Sequence, residues 1–265
     1  MPLVRSELSR YIERIMNDQK RGFRPPWQIT RDLFLAEGEV ENLLHRLPRV
    51  PPHASERQTA LAARDRLLVE ALLFSGLRNS ELCGLRIADT VVGTGQSVFL
   101  VHGTPRQDRT VYVPQQMSSL VEEFVRAQRP FLVRPPGKSA PRQEPLLVND
   151  RGNPFDRTTL YRRVVAILTA AGFGDRAGAQ LLRHTYGYLA YKRSGGNLLF
   201  IQRQMGHAHP MVSSVYAQFV DEDYAQIANS VGQSVSEIQS EPVPRKRKSN
   251  ARLSRDSRPR TNRGG

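Results

Sequence analysis

"QLLRHTYGYLAYKRSGGNLLFIQRQMGHAHPMVSSVY", residues 180–216, places Arg183 and His184 on an apolar helix and closes a second, shorter one with a lone tyrosine. A Gly206–His207 pair starts that short element, and Tyr216 follows nine residues after the histidine. Taken alone, such a tyrosine reads as half-buried packing. His207 and His209 form an H-x-H pair, but without a nearby carboxylate or third histidine this is a weak metal signal.

Working outward, the chain is mainly helical with a short β insertion. "LAEGEVENLLHRL" spaces Val40, Leu43, Leu44 and Leu47 at helical intervals, and "PPH" stops it. "SERQTALAARDRLLVEALLFSG" carries a stripe of Leu61, Leu68 and Leu72 flanked by Leu67, Ala71 and Phe74, which predicts a core helix ended by Gly76. "SVFLVHG" and "RTVYVP", separated by "TPRQD", change the period to that of a hairpin. "QQMSSLVEEFVRAQR" returns to helix, "EPLLVNDRGNP" predicts a short strand and turn, and three or four helices follow from Arg157 to about Val231. The predicted class is α+β, mainly helical, with a small antiparallel hairpin or sheet at one edge.

The 265-residue chain has a formal charge of +14 and 39% apolar residues, below the usual share of about 45–50%. Its pI near 10.6 points to a polyanionic partner, with nucleic acid the default. Neither a long apolar run nor a basic amphipathic helix favours a membrane. Residues 1–10 show no secretory signal. Cys83 is the only cysteine, which excludes an internal disulfide and a cysteine zinc site and suggests a reducing compartment. The expected location is cytoplasmic and nucleoid-associated, or nuclear in a eukaryotic host.

Residues 1–33 are predicted to be an arm with one short helix around "SELSRYIERIMNDQKR", too short for a domain. Residues 233–265 are predicted to be a basic disordered tail. From residue 241 onward it holds nine cations against two acids, and Arg245, Lys246, Arg247 and Lys248 are candidate phosphate contacts. The plain alternative is a solubilising tail.

A second segment joins the first. In "FSGLRNSELCGLR", Arg78 follows the glycine that ends a buried helix and precedes Ser80 and Glu81, residues suited to a helix start. With "QLLRHT", "MGH" and Tyr216 downstream, the chain resembles the tyrosine recombinases, or phage integrases, over residues 34–232. The family motif "TGLRxSEL" is matched by Ser75 to Leu82, with Arg78 as its first catalytic arginine. "HxLRHT", "LGH" and a tyrosine nine residues later are matched by Arg183, His207 and Tyr216. "FLAEGEVENLL" resembles the opening of the family's catalytic domain, and "HGTPRQDRTVYVP" resembles its "GKGxKxRxVP" hairpin.

The resemblance implies a site-specific recombinase that cuts and rejoins double-stranded DNA through a 3′-phosphotyrosyl link, leaving a free 5′-hydroxyl. It implies a dimer or tetramer on DNA, in which "DEDYAQIANSVG" after the tyrosine packs on a neighbouring subunit. No cofactor, metal or ATP is expected, since the ester keeps the bond energy, and the chain has no Walker-type glycine loop or acidic metal cluster. Physical chemistry agrees with the residue types. Guanidinium forks suit the charge that spreads over a phosphodiester under attack, His207 adds a hydrogen bond, and Tyr216 attacks phosphorus. Arg109 and His184 are expected at the DNA.

Three departures stand out. Gln180 occupies the place of the family's usual histidine, and an amide is no practical base. The hairpin has no lysine between Leu100 and Pro114, leaving Arg106, Gln107 and Arg109. Arginine releases a proton poorly, so His207, His184 or water remain open as proton carriers. Residues 1–32 are too few to supply the helical clamping domain that most of the family carries, so the tail, the arm or an accessory DNA-binding protein is expected to replace it. Rival readings are a recombinase-like DNA-binding protein that no longer cuts, a nicking-closing enzyme of the type IB topoisomerase kind, and a basic RNA-binding protein.

Overall fold

The longest helix organises the molecule because its sequence specifies both its ends and its buried faces. In a computed structural model it runs Glu56–Ser75. Ser55 caps its start, accepting from the Gln58 amide while the Gln58 side chain accepts from the Ser55 N–H at 2.9 Å. Gly76 ends it in the left-handed region at φ 65°, a conformation that costs glycine little.

The structure describes residues 29–220 apart from 51, 94, 104–107, 134–143 and 210. All of these lie in the first of two units, which are divided between Val220 and Asp221. The expected N-terminal helix, Arg106, the segment "DEDYAQIANSVG" and the tail with Arg245, Lys246, Arg247 and Lys248 fall outside the described residues.

Among the described residues the helices are α1 (Glu37–Arg46), α2 (Glu56–Ser75), α3 (Asn79–Gly84), α4 (Gln115–Glu123), α5 (Arg157–Ala170), α6 (Ala179–Arg193), α7 (Leu198–Met205) and α8 (Met211–Ser214). A three-stranded antiparallel sheet is formed by β1 (Thr90–Val91), β2 (Val98–Val101) and β3 (Arg109–Tyr112), in that order. The fold is therefore mainly helical with a small antiparallel sheet. Along the hairpin Phe99 pairs with Val111 and Val101 with Arg109. Phe99, Val101 and Val111 are buried, as alternation on a half-buried strand requires. None of the described helices is long and apolar enough to cross a membrane.

Burial on α2 is broad: Leu67, Leu68, Val69, Ala71, Leu72 and Leu73 are all fully enclosed. Each of the leucines and Val69 contributes about 1.5–3 kcal/mol through removal from water. The same helix carries Arg64, also enclosed, whose guanidinium bonds Asp65 at 2.7 Å and Asp150 at 2.5 Å, while Arg163 on α5 also grips Asp65. This ion network fastens α2 to α5 by charges that satisfy one another.

Two expectations change in detail. "EPLLVNDRGNP" forms only isolated bridges, Arg86 with Pro145 and Val148 with Pro154, because proline offers no N–H to extend a ladder. The helix predicted through Arg129 stays α-helical only to Glu123, then widens into a π turn (Phe124–Gln128) and tightens into a 3₁₀ turn (Arg129–Phe131).

Candidate active site

Arg78 sits at the N-cap of α3, two residues beyond the glycine that ends α2. Its backbone N–H donates to Glu81 Oε2 at 2.7 Å and its Nη1 to Glu81 Oε1 at 2.9 Å. Its other terminal nitrogen reaches across the fold to the Gly206 carbonyl at 2.8 Å. Arg183, buried on α6, donates to the carbonyls of Gly76 and, at 2.7 Å, of Met205. Arg109, at the start of β3, forks onto Glu81 with bonds of 2.7 and 2.8 Å and donates Nε–H to the Gln204 carbonyl at 3.2 Å.

Three arginines from three elements thus meet the consecutive carbonyls of Gln204, Met205 and Gly206 at the C-terminal end of α7. Helix C-termini expose carbonyls and carry a partial negative charge, so they hold cations in place. Gly206 makes the arrangement possible: it adopts φ 64°, and a Cβ there would come within 2.9 Å of the Arg109 guanidinium carbon.

The charge balance of this cluster is uneven. Three guanidiniums share one carboxylate, leaving an excess of two positive charges. Burial raises the Glu81 pKa, but hydrogen bonds from Arg109 and from the Arg78 backbone outweigh it and bring the carboxyl down to about 2. Burial, with repulsion from Arg78, lowers Arg183 to about 10. A buried cation held only by carbonyls is a site arranged for an anion. The open face is a cleft of about 580 Å³ lined in part by Arg78, Glu81, Arg109, Arg203 and His207.

His207 follows α7 directly. Its Nδ1 lies 2.9 Å from Ser213 Oγ, and burial, aided by Arg183 and Arg78, lowers its pKa to about 4. The ring is therefore neutral at pH 7 and contributes a hydrogen bond rather than a charge.

Tyr216 is 1% exposed. Its ring lies against α6 at Gly187, where a methyl group would collide with it. Its hydroxyl is 3.2 Å from His184 Nδ1. Burial pushes the phenol up to about 12, although Arg183 acts in the opposite direction. Beyond the tyrosine the chain is pinned by Phe219, whose ring meets Phe34 edge-on at 4.8 Å, and by Gln218, which donates to the Ile29 carbonyl.

The structure brings Arg78, Arg183, Arg109 and His207 together, and it joins Tyr216 to His184 on the same helix as Arg183. Gln180 is exposed in the first turn of α6 and makes no hydrogen bond among the described residues. Sequence reasoning missed Glu81 as a site residue, along with Gly187, Ser213 and the three carbonyls. Glu81 had a usable signal, its capping-box position three residues after Arg78. Carbonyls have none. No cluster of three or more potential metal ligands occurs among the described residues.

The sequence profile of the phage integrase family matches residues 34–222. Tyrosine recombinase XerH of Helicobacter pylori is 27% identical over 183 residues, 68% of this chain and 47% of that protein. Tyrosine recombinase XerC of Halalkalibacterium halodurans is 30% identical over 183 residues, 69% of this chain and 56% of that protein. The chain thus spans about half the length of these relatives. Among solved structures, the pre-cleavage complex of XerH site-specific recombinase bound to difH substrate superposes with a TM-score of 0.57 at 26% identity, over 79% of this chain and 55% of that one. XerA recombinase, at 21% identity and a TM-score of 0.56, shares the fold over 84% of this chain and 68% of its own.

Proposed function

This chain belongs to the phage integrase family, and we propose that it is a site-specific DNA recombinase that cuts and rejoins strands through a covalent 3′-phosphotyrosyl bond to Tyr216. The observation that carries the reading is the convergence of Arg78 and Arg183 on adjacent carbonyls, Met205 and Gly206, with His207 next in the chain.

A phosphodiester entering the cleft brings one negative charge to a cluster with two positive charges in excess. Arg78 and Arg183 bind its non-bridging oxygens, and fixed donors of this kind cost no reorganisation as charge builds during attack. His207, neutral, supplies a further hydrogen bond. The phenolic oxygen of Tyr216 bonds to phosphorus, the bond to the 5′-oxygen breaks, and the 3′-phosphate remains on the enzyme. The ester keeps the energy of the broken bond, so a 5′-hydroxyl from another strand reverses the step without ATP. Double-stranded DNA is the substrate in this reading, supported by the similar XerH site-specific recombinase solved bound to its difH substrate, and a dimer or tetramer on it is the working assembly. The basic segments 1–33 and 233–265 add phosphate contacts around residues 34–232.

The test is a nicked duplex built from the DNA that flanks the gene. Wild type is expected to form an SDS-resistant adduct, and Tyr216→Phe to form none. An adduct that survives Tyr216→Phe, or none from wild type on DNA shown to be bound, overturns the reading. A second reading, a DNA-binding protein that does not cut, is favoured by the exposed Gln180 and the lysine-free hairpin; specific binding with no adduct decides for it.

A further inference from the structure

A phenol with a pKa of about 12 is ionised in only about one molecule in 10⁵ at pH 7, so attack by Tyr216 needs a group that removes its proton. Gln180 is unsuited by chemistry and by position, since it faces solvent. His207 has its Nδ1 engaged by Ser213 and, with a pKa of about 4, is a weak base. On α6, one residue past Arg183, His184 brings Nδ1 to 3.2 Å from the Tyr216 hydroxyl, with the two rings tilted at 53°.

We infer that His184 is the catalytic base for Tyr216, with Nδ1 taking the phenolic proton as the oxygen attacks phosphorus. The inference rests on the covalent reading above. Its geometry depends on Gly187, three residues along the same helix face, whose missing side chain lets the phenol ring lie against α6 with its hydroxyl pointing back to His184. Arg183 and His207 are the other charged or titratable groups beside it. Burial first, and Arg183 second, hold the His184 pKa below the usual histidine value, so the ring is neutral near pH 7. Accepting at Nδ1 places the ring proton on Nε2.

The step balances. The phenolic O–H breaks and an N–H forms on His184, the oxygen–phosphorus bond forms, and the bond to the 5′-oxygen breaks. That oxygen takes a proton from a water molecule, and the resulting hydroxide removes the proton from the imidazolium. Rejoining runs the same sequence backwards: water returns a proton to His184 Nδ1, the hydroxide so formed takes the proton of the attacking 5′-hydroxyl, and the imidazolium gives its proton to the leaving phenolate.

The experiment compares His184→Ala and His184→Asn on the nicked duplex, together with DNA affinity and melting temperature. Asparagine keeps a hydrogen-bonding atom near the Nδ1 position but cannot act as a base. With the duplex saturated by protein, so that any change in affinity at His184 is read separately, both variants are expected to form adduct about 10²–10⁴-fold more slowly. Added imidazole is expected to restore His184→Ala in part and Tyr216→Phe not at all. The wild-type rate should level off above the histidine's pKa, whereas the variants' rates should keep rising with hydroxide. Wild-type rates from His184→Asn overturn the inference, because they reduce the contact to orientation. Slow variants with an unchanged pH profile and no imidazole rescue also overturn it, as a structural effect. Absence of adduct from wild type is a separate result that removes the covalent reading and this inference with it.

Discussion

Replacing Glu81 with glutamine removes the only carboxylate among three guanidiniums while keeping the side chain's shape. The carboxyl is 13% exposed and its pKa is brought from 4.5 to about 2 by the arginines around it. At about 1.4 kcal/mol per pKa unit, that depression is worth about 3 kcal/mol of folding stability at neutral pH. An independent comparison agrees, since breaking a buried ion pair by removing one partner costs about 3–5 kcal/mol. For a folded unit of this size the loss corresponds to a melting temperature lower by about 6–12 °C. The sign with pH follows from the depressed value. The stabilisation is fully present above pH 4.5 and is lost as pH falls toward 2, so the gap between wild type and Glu81→Gln should close over that interval. Urea unfolding of both proteins at pH 7, repeated at steps down to pH 3, measures this. A difference below about 1 kcal/mol at pH 7, or one that does not shrink with acid, refutes the view that Glu81 holds the arginines through its charge.

Three further substitutions have defined outcomes, two of them at the same site and one on α1. Gly187→Ala should destabilise by about 1–3 kcal/mol and reduce adduct formation more than tenfold, because its methyl displaces the Tyr216 ring. Gly38→Ala on α1, where nothing lies within 4 Å, should instead stabilise by about 0.5–1 kcal/mol, and chemical denaturation of the pair checks both signs. Arg183→Lys keeps the charge but loses the fork that reaches Gly76 and Met205; adduct formation should fall about 10²–10³-fold with DNA affinity within about threefold, as read by single-turnover cleavage and fluorescence anisotropy.

How much of this was legible depended on how local each signal was. Helix α2 could be read because its apolar stripe and its Gly76 stop are both local to it. The hairpin was readable for the same reason, whereas β1, at two residues, is too short to show a period. The stretch 144–154 looked like a strand by composition, but its prolines limit it to single bridges. Arg78, Arg183, His207 and Tyr216 stood out as an ordered set, though no one of them did alone. Glu81 hid in plain view: its partner Arg109 lies 28 residues away, and nothing local to either announces the pair. The His184–Tyr216 contact likewise emerges only when α6 and the loop after α8 are brought together.

Helix α6 also has a mechanical consequence. Within five residues it carries Arg183, His184 and the seat for Tyr216 at Gly187, and a helix advances only about 1.5 Å per residue. The spacing between anion grip, proton contact and tyrosine is therefore set by one stiff rod rather than by the alignment of separate parts. A strain that tilts α6 carries all three along together. Misalignment can arise only where the tyrosine's own loop lifts away from the rod, so tolerance to distortion at this site is a property of residues 206–219 more than of the rest of the fold.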